Sequence, residues 1–359
     1  MLMIKMAKDN VALVPKLVQG LQAEPEQLQL DIKHKYFQRL AYQRELALAN
    51  GTLVVDDASY VPAVLRYGKG EKAKIKIRLK GDRIDHLRGD KWSFRIRVKG
   101  ENSVFGMKQF SLHRPATRNF VNEWLYHQAL KREGVIALRY AFVEVTVNGK
   151  NLGIYALEEH FEKRLIENNR LREGPILRFN EDLFWQENVQ RRNVFPATQR
   201  SGSGQYLSSD IDAFQTGKLF ADSSRYRQFR KALSLLEGFR RGALPTSAVF
   251  DIPKLASYFA VADVMGAEHG ARWHNIRFYY NPVTALLEPI GFDGNSGKLL
   301  KTIEFSRTGL AVNTLQTNTF EFFLARIFAD EAFFRVYVAT LERISKTAYL
   351  DSFFAEIDD

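Results

Sequence analysis

The sequence contains no cysteine among its 359 residues. Disulfide bonds, thiolate zinc sites and cysteine nucleophiles are therefore excluded, while the redox state of the compartment is left open. No apolar run approaches the roughly 18 residues that a membrane-spanning helix requires. The first twenty residues are interrupted by three lysines and an aspartate, so they do not resemble a signal peptide. Walker-type Gly-Lys-Ser/Thr loops, Gly-x-Ser-x-Gly elbows and His-x-x-x-His pairs are also missing, which argues against P-loop enzymes, α/β-hydrolases and zincins.

What is present is the composition of an ordinary globular protein, with 45% hydrophobic and 26% charged residues. The length exceeds that of one average domain, and predicted strands precede mainly helical segments, which together indicate an α+β fold. We predict an N-terminal helical extension over residues 1–65, a β-rich lobe over 66–180 and a mainly helical lobe over 181–359.

The excess of positive charge is local. Lys and Arg number 52 against 41 Asp and Glu, and the segment 66–118 alone, with sixteen basic and five acidic residues, carries the whole net charge of +11. Cations alternate with apolar residues over 72–80 and again over 91–99, which predicts two strands that share one cationic face. Like charges on paired strands repel, so an anion is expected between them; a solvated sheet face is the alternative.

A second predicted hairpin carries polar residues at its open end. Residues 275–280 and 286–292 read as short apolar strands, and pairing them around the intervening turn places Asn275 beside Asp293. Amide and carboxylate oxygens are suitable ligands for Mg²⁺ or Mn²⁺. An Asx-capped hairpin without a metal is the structural alternative. The preceding loop adds three further polar residues: His269, Arg272 and His274.

The order of polar loop, asparagine, hairpin and Phe-Asp-Gly parallels the catalytic loop and the metal-binding Asp-Phe-Gly of protein kinases. With three other features, the sequence resembles the CotH kinase family, atypical kinases related to spore-coat protein H. These features are the basic stretches at 78–82 and 91–96, the Arg118-Asn119 pair that begins a helix, and the Asn-Gly hairpin within 142–159. The resemblance covers roughly residues 70–300. It implies a bilobal atypical protein-kinase-like fold, with an antiparallel-sheet N-lobe, a mainly helical C-lobe and the nucleotide between them.

The resemblance further implies metal-dependent transfer of a phosphoryl group from ATP to a protein or an envelope-associated acceptor. It assigns the Mg²⁺ or Mn²⁺ ion to Asp293, assisted by Asn275, and makes Asp293 a catalytic residue. His269 is predicted as the second catalytic residue, because a neutral imidazole accepts a hydroxyl proton near pH 7. The nucleotide is assigned to four residues: Lys91, Arg95, Arg118 and Glu159. Among these, Glu159 is the expected carboxylate partner of Lys91.

Two departures from the family pattern leave alternatives open. The acidic base is replaced, with Glu268, His269 and His274 as candidates, and Gly291 stands where the family has an additional aspartate. A nucleotide-binding pseudokinase is therefore one alternative, and a basic module that binds an acidic envelope polymer is another. Nucleic acid is not expected, because Trp92 and Phe94 face away from the cations. Family members often act outside the cytoplasm, which favours the cell envelope.

Overall fold

The structure is a computed structural model that describes residues 19–20, 22–81, 83–182, 203–297 and 320–358. Strands dominate the first half of the chain and helices the second. The predicted α+β class is therefore confirmed. No helix in the described ranges is long and apolar enough to cross a membrane.

The first seven strands form one closed barrel. They are β1 (Gln27–Asp31), β2 (Val61–Tyr67), β3 (Glu71–Leu79), β4 (Phe94–Val98), β5 (Gln109–His113), β6 (Tyr140–Val147) and β7 (Lys150–Glu159). Around the barrel they follow the order β1, β2, β3, β4, β5, β7, β6, and every pair is antiparallel except β1 with β6. Alternate side chains point inward, so Ile75, Ile77 and Leu79 of β3 are buried in the barrel core.

Barrel closure depends on the first strand. β1 is antiparallel to β2 on one side and parallel to β6 on the other, where Leu30 lies opposite Val147. The prediction that the N-terminal extension is helical is therefore wrong at β1, and the helix α1 begins only after it and spans His34–Asn50. Leu28 and Leu30 alternate towards the barrel core, but two leucines are too short a pattern to identify a strand from sequence. The predicted N-lobe sheet is accordingly a closed barrel with one parallel pair.

A second sheet and most of the helices follow the barrel. The sheet has the order β11, β10, β8, β9 and consists of β8 (Ile176–Phe179), β9 (Ile211–Ala213), β10 (Arg277–Tyr280) and β11 (Leu287–Ile290). The described helices after α1 are α2 (Asn122–Arg132), α3 (Lys163–Asn168), α4 (Ser203–Ser208), α5 (Thr216–Phe220), α6 (Ser223–Arg240), α7 (Thr246–Val249), α8 (Ile252–Val264), α9 (Phe320–Phe328), α10 (Glu331–Ile344) and α11 (Thr347–Ile357). Short 3₁₀ turns occur at Asp57–Ser59, Ile84–Leu87 and Pro115–Arg118.

Three apolar cores hold these parts together. One fills the barrel, and a larger one surrounds α8, which packs on α2 and α10. A small third core, which includes Ile136, Leu138 and Ile290, joins the segment after α2 to the β10–β11 hairpin. Because this core bridges the barrel and the second sheet, it fixes the two walls of the site described below.

A hairpin turn, a helix end and a helix N-cap each have the residue type that their backbone geometry favours. Asn148 and Gly149 have φ of 48° and 83°, the left-handed pair that a two-residue type I′ hairpin requires. Gly51 ends α1 with φ 73°. Asp251 caps α8 by accepting the backbone N–H of Lys254.

Candidate active site

A cleft of about 1000 Å³ lies between the outer face of the barrel and the second sheet. β3, β4 and the 3₁₀ turn before α2 form its barrel side, while residues around β8, β9 and the β10–β11 hairpin form the other. Among the described residues, nine Arg or Lys side chains and four Asp or Glu side chains line it. Such a local excess of positive charge favours an anionic ligand.

The cationic face predicted from the sequence runs from solvent into this cleft. β3 and β4 pair as expected, with Arg78 opposite Arg95. The outer lysines of β3 are exposed: Lys72, Lys74 and Lys76. Further in, Arg78 is half-buried and Lys80 is only 6% exposed. The solvated alternative therefore describes the outer part of the face, while the inner part is buried in the cleft and the bound anion stays a prediction there.

Lys80 forms a buried ion pair at the inner end of this face. Its Nζ donates to Oε2 of Glu158 over 2.5 Å, and Glu158, on β7, is 1% exposed. Burial lowers the pKa of Lys80 to about 8; Glu158 opposes this shift, and Arg95 and Arg118 add to it. Burial would raise the pKa of Glu158, but Lys80 and other nearby cations hold it well below its usual range. Both members of the pair are thus charged at neutral pH.

Asp293 follows β11 and is held by Arg118. Nε of Arg118 lies 2.9 Å from Oδ1 of Asp293, and both side chains are largely buried. Burial disfavours the charged guanidinium, yet Asp293 and other nearby carboxylates raise the pKa of Arg118 above its usual value. The second oxygen, Oδ2, lies 3.8 Å from Nε2 of His269. One carboxylate therefore lies between a fixed cation and an imidazole.

The turn before α2 fixes the loop that follows β11. Nδ2 of Asn119 donates to the carbonyl oxygen of Ser296 over 2.7 Å. The carboxylate of Glu123 accepts the backbone N–H groups of Gly294 and Asn295, each at 2.9 Å. Each segment contains one asparagine in the left-handed backbone conformation, with φ 52° at Asn119 and 47° at Asn295. Asparagine tolerates this conformation well. The Arg-Asn pair of the sequence thus acts as a clamp on the loop of Asp293.

Asn275 and Asp293 supply oxygen atoms suited to a divalent cation. β10 and β11 pair with Arg277 opposite Ile290, which brings their open ends together as predicted. Nδ2 of Asn275 donates to the carbonyl oxygen of His269, so Oδ1 is its remaining ligand atom. In Asp293, Oδ1 is ion-paired with Arg118, so Oδ2 is the oxygen left to face a cation. Amide and carboxylate oxygens are of the type that Mg²⁺ or Mn²⁺ prefers, while the described residues contain no group of three His, Asp or Glu side chains that could hold a metal ion by themselves.

Gly291 faces the core and not the cleft. A Cβ atom at this position would overlap Cδ1 of Leu130 and approach the carbonyl oxygen of Ile136 to 3.6 Å. A larger side chain at this position would therefore collide with Leu130 of α2, so close packing accounts for the glycine that departs from the family pattern.

Replacing Gly291 by alanine is expected to lower the free energy of unfolding by about 1–3 kcal/mol, the usual result of overpacking a core. Gly217 offers a matched control, because a Cβ atom there meets nothing within 4 Å. Chemical denaturation of Gly291→Ala and Gly217→Ala tests the difference. Equal stability of the two variants would contradict the close packing at Gly291.

The structure brings five predicted site residues together in the cleft: Arg95, Arg118, His269, Asn275 and Asp293. Lys91 and Glu159 lie outside it. Nζ of Lys91 donates to the carbonyl oxygen of Ile154 over 2.9 Å, and Glu159 is paired with Arg139. The expected pair of Lys91 with Glu159 is therefore absent, because each residue has another partner.

Four residues of the site were not predicted: Lys80, Asn119, Glu123 and Glu158. Lys80 has the clearest signal in the sequence, as the last cation of the alternating run over 72–80. Glu158 is adjacent to the predicted Glu159. Glu123 stands one helical turn after Asn119, where a carboxylate reads equally well as an ordinary first-turn residue of α2.

Of the three candidates for the base, His269 lies with its Nε2 3.8 Å from Oδ2 of Asp293. His274 is buried, and burial lowers its pKa to about 3. Glu268 is ion-paired with Arg272 at 3.0 Å. His269 lines the cleft and approaches Asp293 directly.

No curated protein matches the chain. A family model described as CotH kinase protein matches residues 77–358. The match begins within β3 and ends after α11, so it includes the site residues from Lys80 to Asp293. The chain therefore belongs to the CotH kinase family.

Proposed function

We propose that the protein is an atypical kinase that transfers the γ-phosphoryl group of ATP to a protein or envelope-associated acceptor, with Mg²⁺ or Mn²⁺ as cofactor. The observation that carries this proposal is that Lys80, held by Glu158, and Asp293, held by Arg118, line one cleft. Protein kinases use a lysine–glutamate ion pair for the phosphates and an aspartate for the metal. In this proposal the barrel and the helical part take the places of the two kinase lobes.

Phosphoryl transfer depends mainly on positioning and on neutralisation of charge. Lys80 and Arg118 are the cations proposed for the ATP phosphates, since both are fixed by buried carboxylates before any ligand arrives. Mg²⁺ or Mn²⁺, held by Asp293 and Asn275, would neutralise charge on the transferring group. Side chains that are already fixed lose little conformational freedom on binding.

Proton transfer is assigned to His269. The oxygen of the acceptor hydroxyl attacks the γ-phosphorus, the bond from that phosphorus to the bridging oxygen of ADP breaks, and the hydroxyl proton passes to the imidazole. A neutral imidazole accepts a proton readily near pH 7. The neighbouring carboxylate of Asp293 stabilises the imidazolium that results.

Incubation with γ-labelled ATP and Mg²⁺ or Mn²⁺ tests the proposal. Label is expected to appear in the protein itself or in an added protein acceptor such as casein, and chelation of the metal is expected to abolish it. A thermal shift with ATP but no transfer of label would instead favour the pseudokinase. Binding to an acidic polymer that is lost with added salt and is indifferent to ATP would favour the basic module.

The affinity for ATP is expected to fall as the pH rises through about 8, because burial places the pKa of Lys80 there. Above this pH the free protein must take up a proton before Lys80 attracts a phosphate, so the loss approaches about tenfold per pH unit. Lys80→Arg is the matched control, because a guanidinium stays charged over this range. Isothermal titration calorimetry from pH 7 to about 9.5 compares the two proteins. A wild-type affinity that does not change with pH would remove Lys80 from the phosphate site.

A further inference from the structure

The positive charge of the cleft is compensated unevenly. Six of its nine Arg and Lys side chains have a carboxylate oxygen within 4.0 Å. The other three, Arg78, Arg83 and Arg95, have none among the described residues. All three belong to the barrel side, so the uncompensated charge is concentrated on one wall.

Arg95 is the most unusual of the three. It is only 9% exposed, and its Nε and Nη1 atoms are buried with no hydrogen-bond partner in the part of the chain that the structure describes. Burial, reinforced by Arg78 and opposed by Glu158, lowers the pKa of Arg95 to about 10, so the guanidinium remains charged at neutral pH. A buried charge with unused donors is destabilising unless an anion satisfies it. The side chain therefore points to a ligand.

Residues on the neighbouring strands form a row with Arg95 across the outer face of the barrel. Arg78 lies directly opposite Arg95 on β3, and Ser111 lies opposite Arg95 on β5. The Oγ atom of Ser111 is also buried and has no hydrogen-bond partner among the described residues. Arg78 and Arg97 flank the ring of Tyr60, with their guanidinium carbons 5.3 and 4.2 Å from its centre. The row thus presents fixed donors that match a planar, doubly hydrogen-bonding anion.

The position along the strands indicates which anion binds. The row of Arg78 and Arg95 is two residues nearer to solvent than Lys80, or about 7 Å along β3. Beyond it the face continues to the exposed Lys76. The row therefore lies between the proposed phosphate position and the mouth through which an acceptor enters.

We propose that Arg78, Arg95 and Ser111 form an acceptor subsite that binds an acidic side chain, a carboxylate or a phosphate, near the phosphorylated residue of a protein substrate. This inference rests on the proposed kinase function and adds its substrate class. It differs from the prediction that Arg95 binds ATP, and the two make opposite predictions for kinetic constants.

The test uses two synthetic serine peptides that are identical except that the residues flanking the serine are glutamate in one and glutamine in the other. The wild-type protein is expected to phosphorylate the glutamate peptide with the higher kcat/KM. Arg95→Met is expected to lower kcat/KM for the glutamate peptide by about tenfold to a hundredfold, the range for one charge-assisted pair. The glutamine peptide and the KM for ATP are expected to be unaffected. Lys72→Met, an exposed lysine on β3, is the matched control and is expected to change neither.

Two results would overturn the subsite while the kinase proposal stands. One is equal phosphorylation of the two peptides by the wild-type protein, and the other is a rise in the KM for ATP in Arg95→Met without loss of peptide preference. Arg78→Met provides a second variant on the opposite strand, with the same expected preference change. The melting temperature of Arg95→Met is expected to be unchanged or higher, because an uncompensated buried charge is removed.

Failure of the kinase proposal would look different. If the wild-type protein phosphorylates neither peptide, the subsite is judged by peptide binding, measured by fluorescence anisotropy with ADP and Mg²⁺ present. Tighter binding of the glutamate peptide that Arg95→Met removes would support the subsite. Equal binding of the two peptides would overturn it.

Discussion

Replacing Asp293 by asparagine is expected to lower kcat by at least about a thousandfold, because a metal ion contributes several kcal/mol to stabilising the transition state and each 1.4 kcal/mol is about tenfold in rate. The amide keeps the shape of the side chain but loses the charge that attracts the cation. The substitution also leaves Arg118 without its carboxylate, so the melting temperature is expected to fall. Transfer of label from γ-labelled ATP is therefore measured at a temperature at which both proteins are folded.

Asp212→Asn is the matched control for this experiment. Asp212 lines the same cleft but is paired with Arg178 at 3.5 Å, away from the β10–β11 hairpin. Its substitution is expected to change kcat little. Full turnover in Asp293→Asn would contradict the proposed phosphoryl transfer, and an equal loss in both variants would point to the general charge of the cleft instead of a metal ligand.

Replacing Glu158 by leucine is expected to lower the free energy of unfolding by about 3–5 kcal/mol, the cost of removing one member of a buried ion pair. The reason is that Lys80 is left charged and buried beside Arg95 and Arg118, which already disfavour its charge. Denaturant titration followed by circular dichroism measures the loss.

The double variant Lys80→Met with Glu158→Leu separates stability from activity. Because both charges are gone, most of the lost stability is expected to return, while phosphoryl transfer stays abolished without the phosphate lysine. A double variant no more stable than Glu158→Leu alone would show that the two side chains are not energetically coupled. A double variant that still transferred label would exclude Lys80 from the reaction.

The hairpin that holds Asn275 and Asp293 could be predicted because its geometry is local. Its two strands are neighbours in sequence, and the short turn between them sets the register Arg277 to Ile290. Once the register is set, the open end of the hairpin follows. Nothing from elsewhere in the chain is needed to bring the two polar residues together.

The lysine proposed for the phosphates could not be chosen in the same way. Lys80 and Lys91 both belong to runs in which cations alternate with apolar residues, and each stands at the end of its run that borders the segment 81–90. They differ because the cleft closes over Lys80 with residues such as Arg178 and Asp293, about a hundred or more positions later in the chain. The alternation of residues along one run carries no information about distant parts of the chain that pack over it.

The choice of Glu159 over Glu158 failed by one residue for a related reason. By sequence pattern the residues from 158 onward also read as a helix, whereas β7 continues through Glu159. Successive residues on a strand face opposite sides, so Glu158 meets Lys80 and Glu159 meets Arg139. Where a strand ends depends on its neighbours, and here β5 and β6 pair with β7 up to these residues.

The way in which β1 closes the barrel has a practical consequence for protein production. β1 and β2 precede residue 77, where the family match begins. A recombinant fragment trimmed to the matched region would leave unpaired backbone N–H and C=O groups along β6 and the remainder of β3, and such open strand edges promote aggregation. A soluble fragment of this kinase-family chain must therefore start ahead of Gln27, some fifty residues before the boundary that similarity alone suggests.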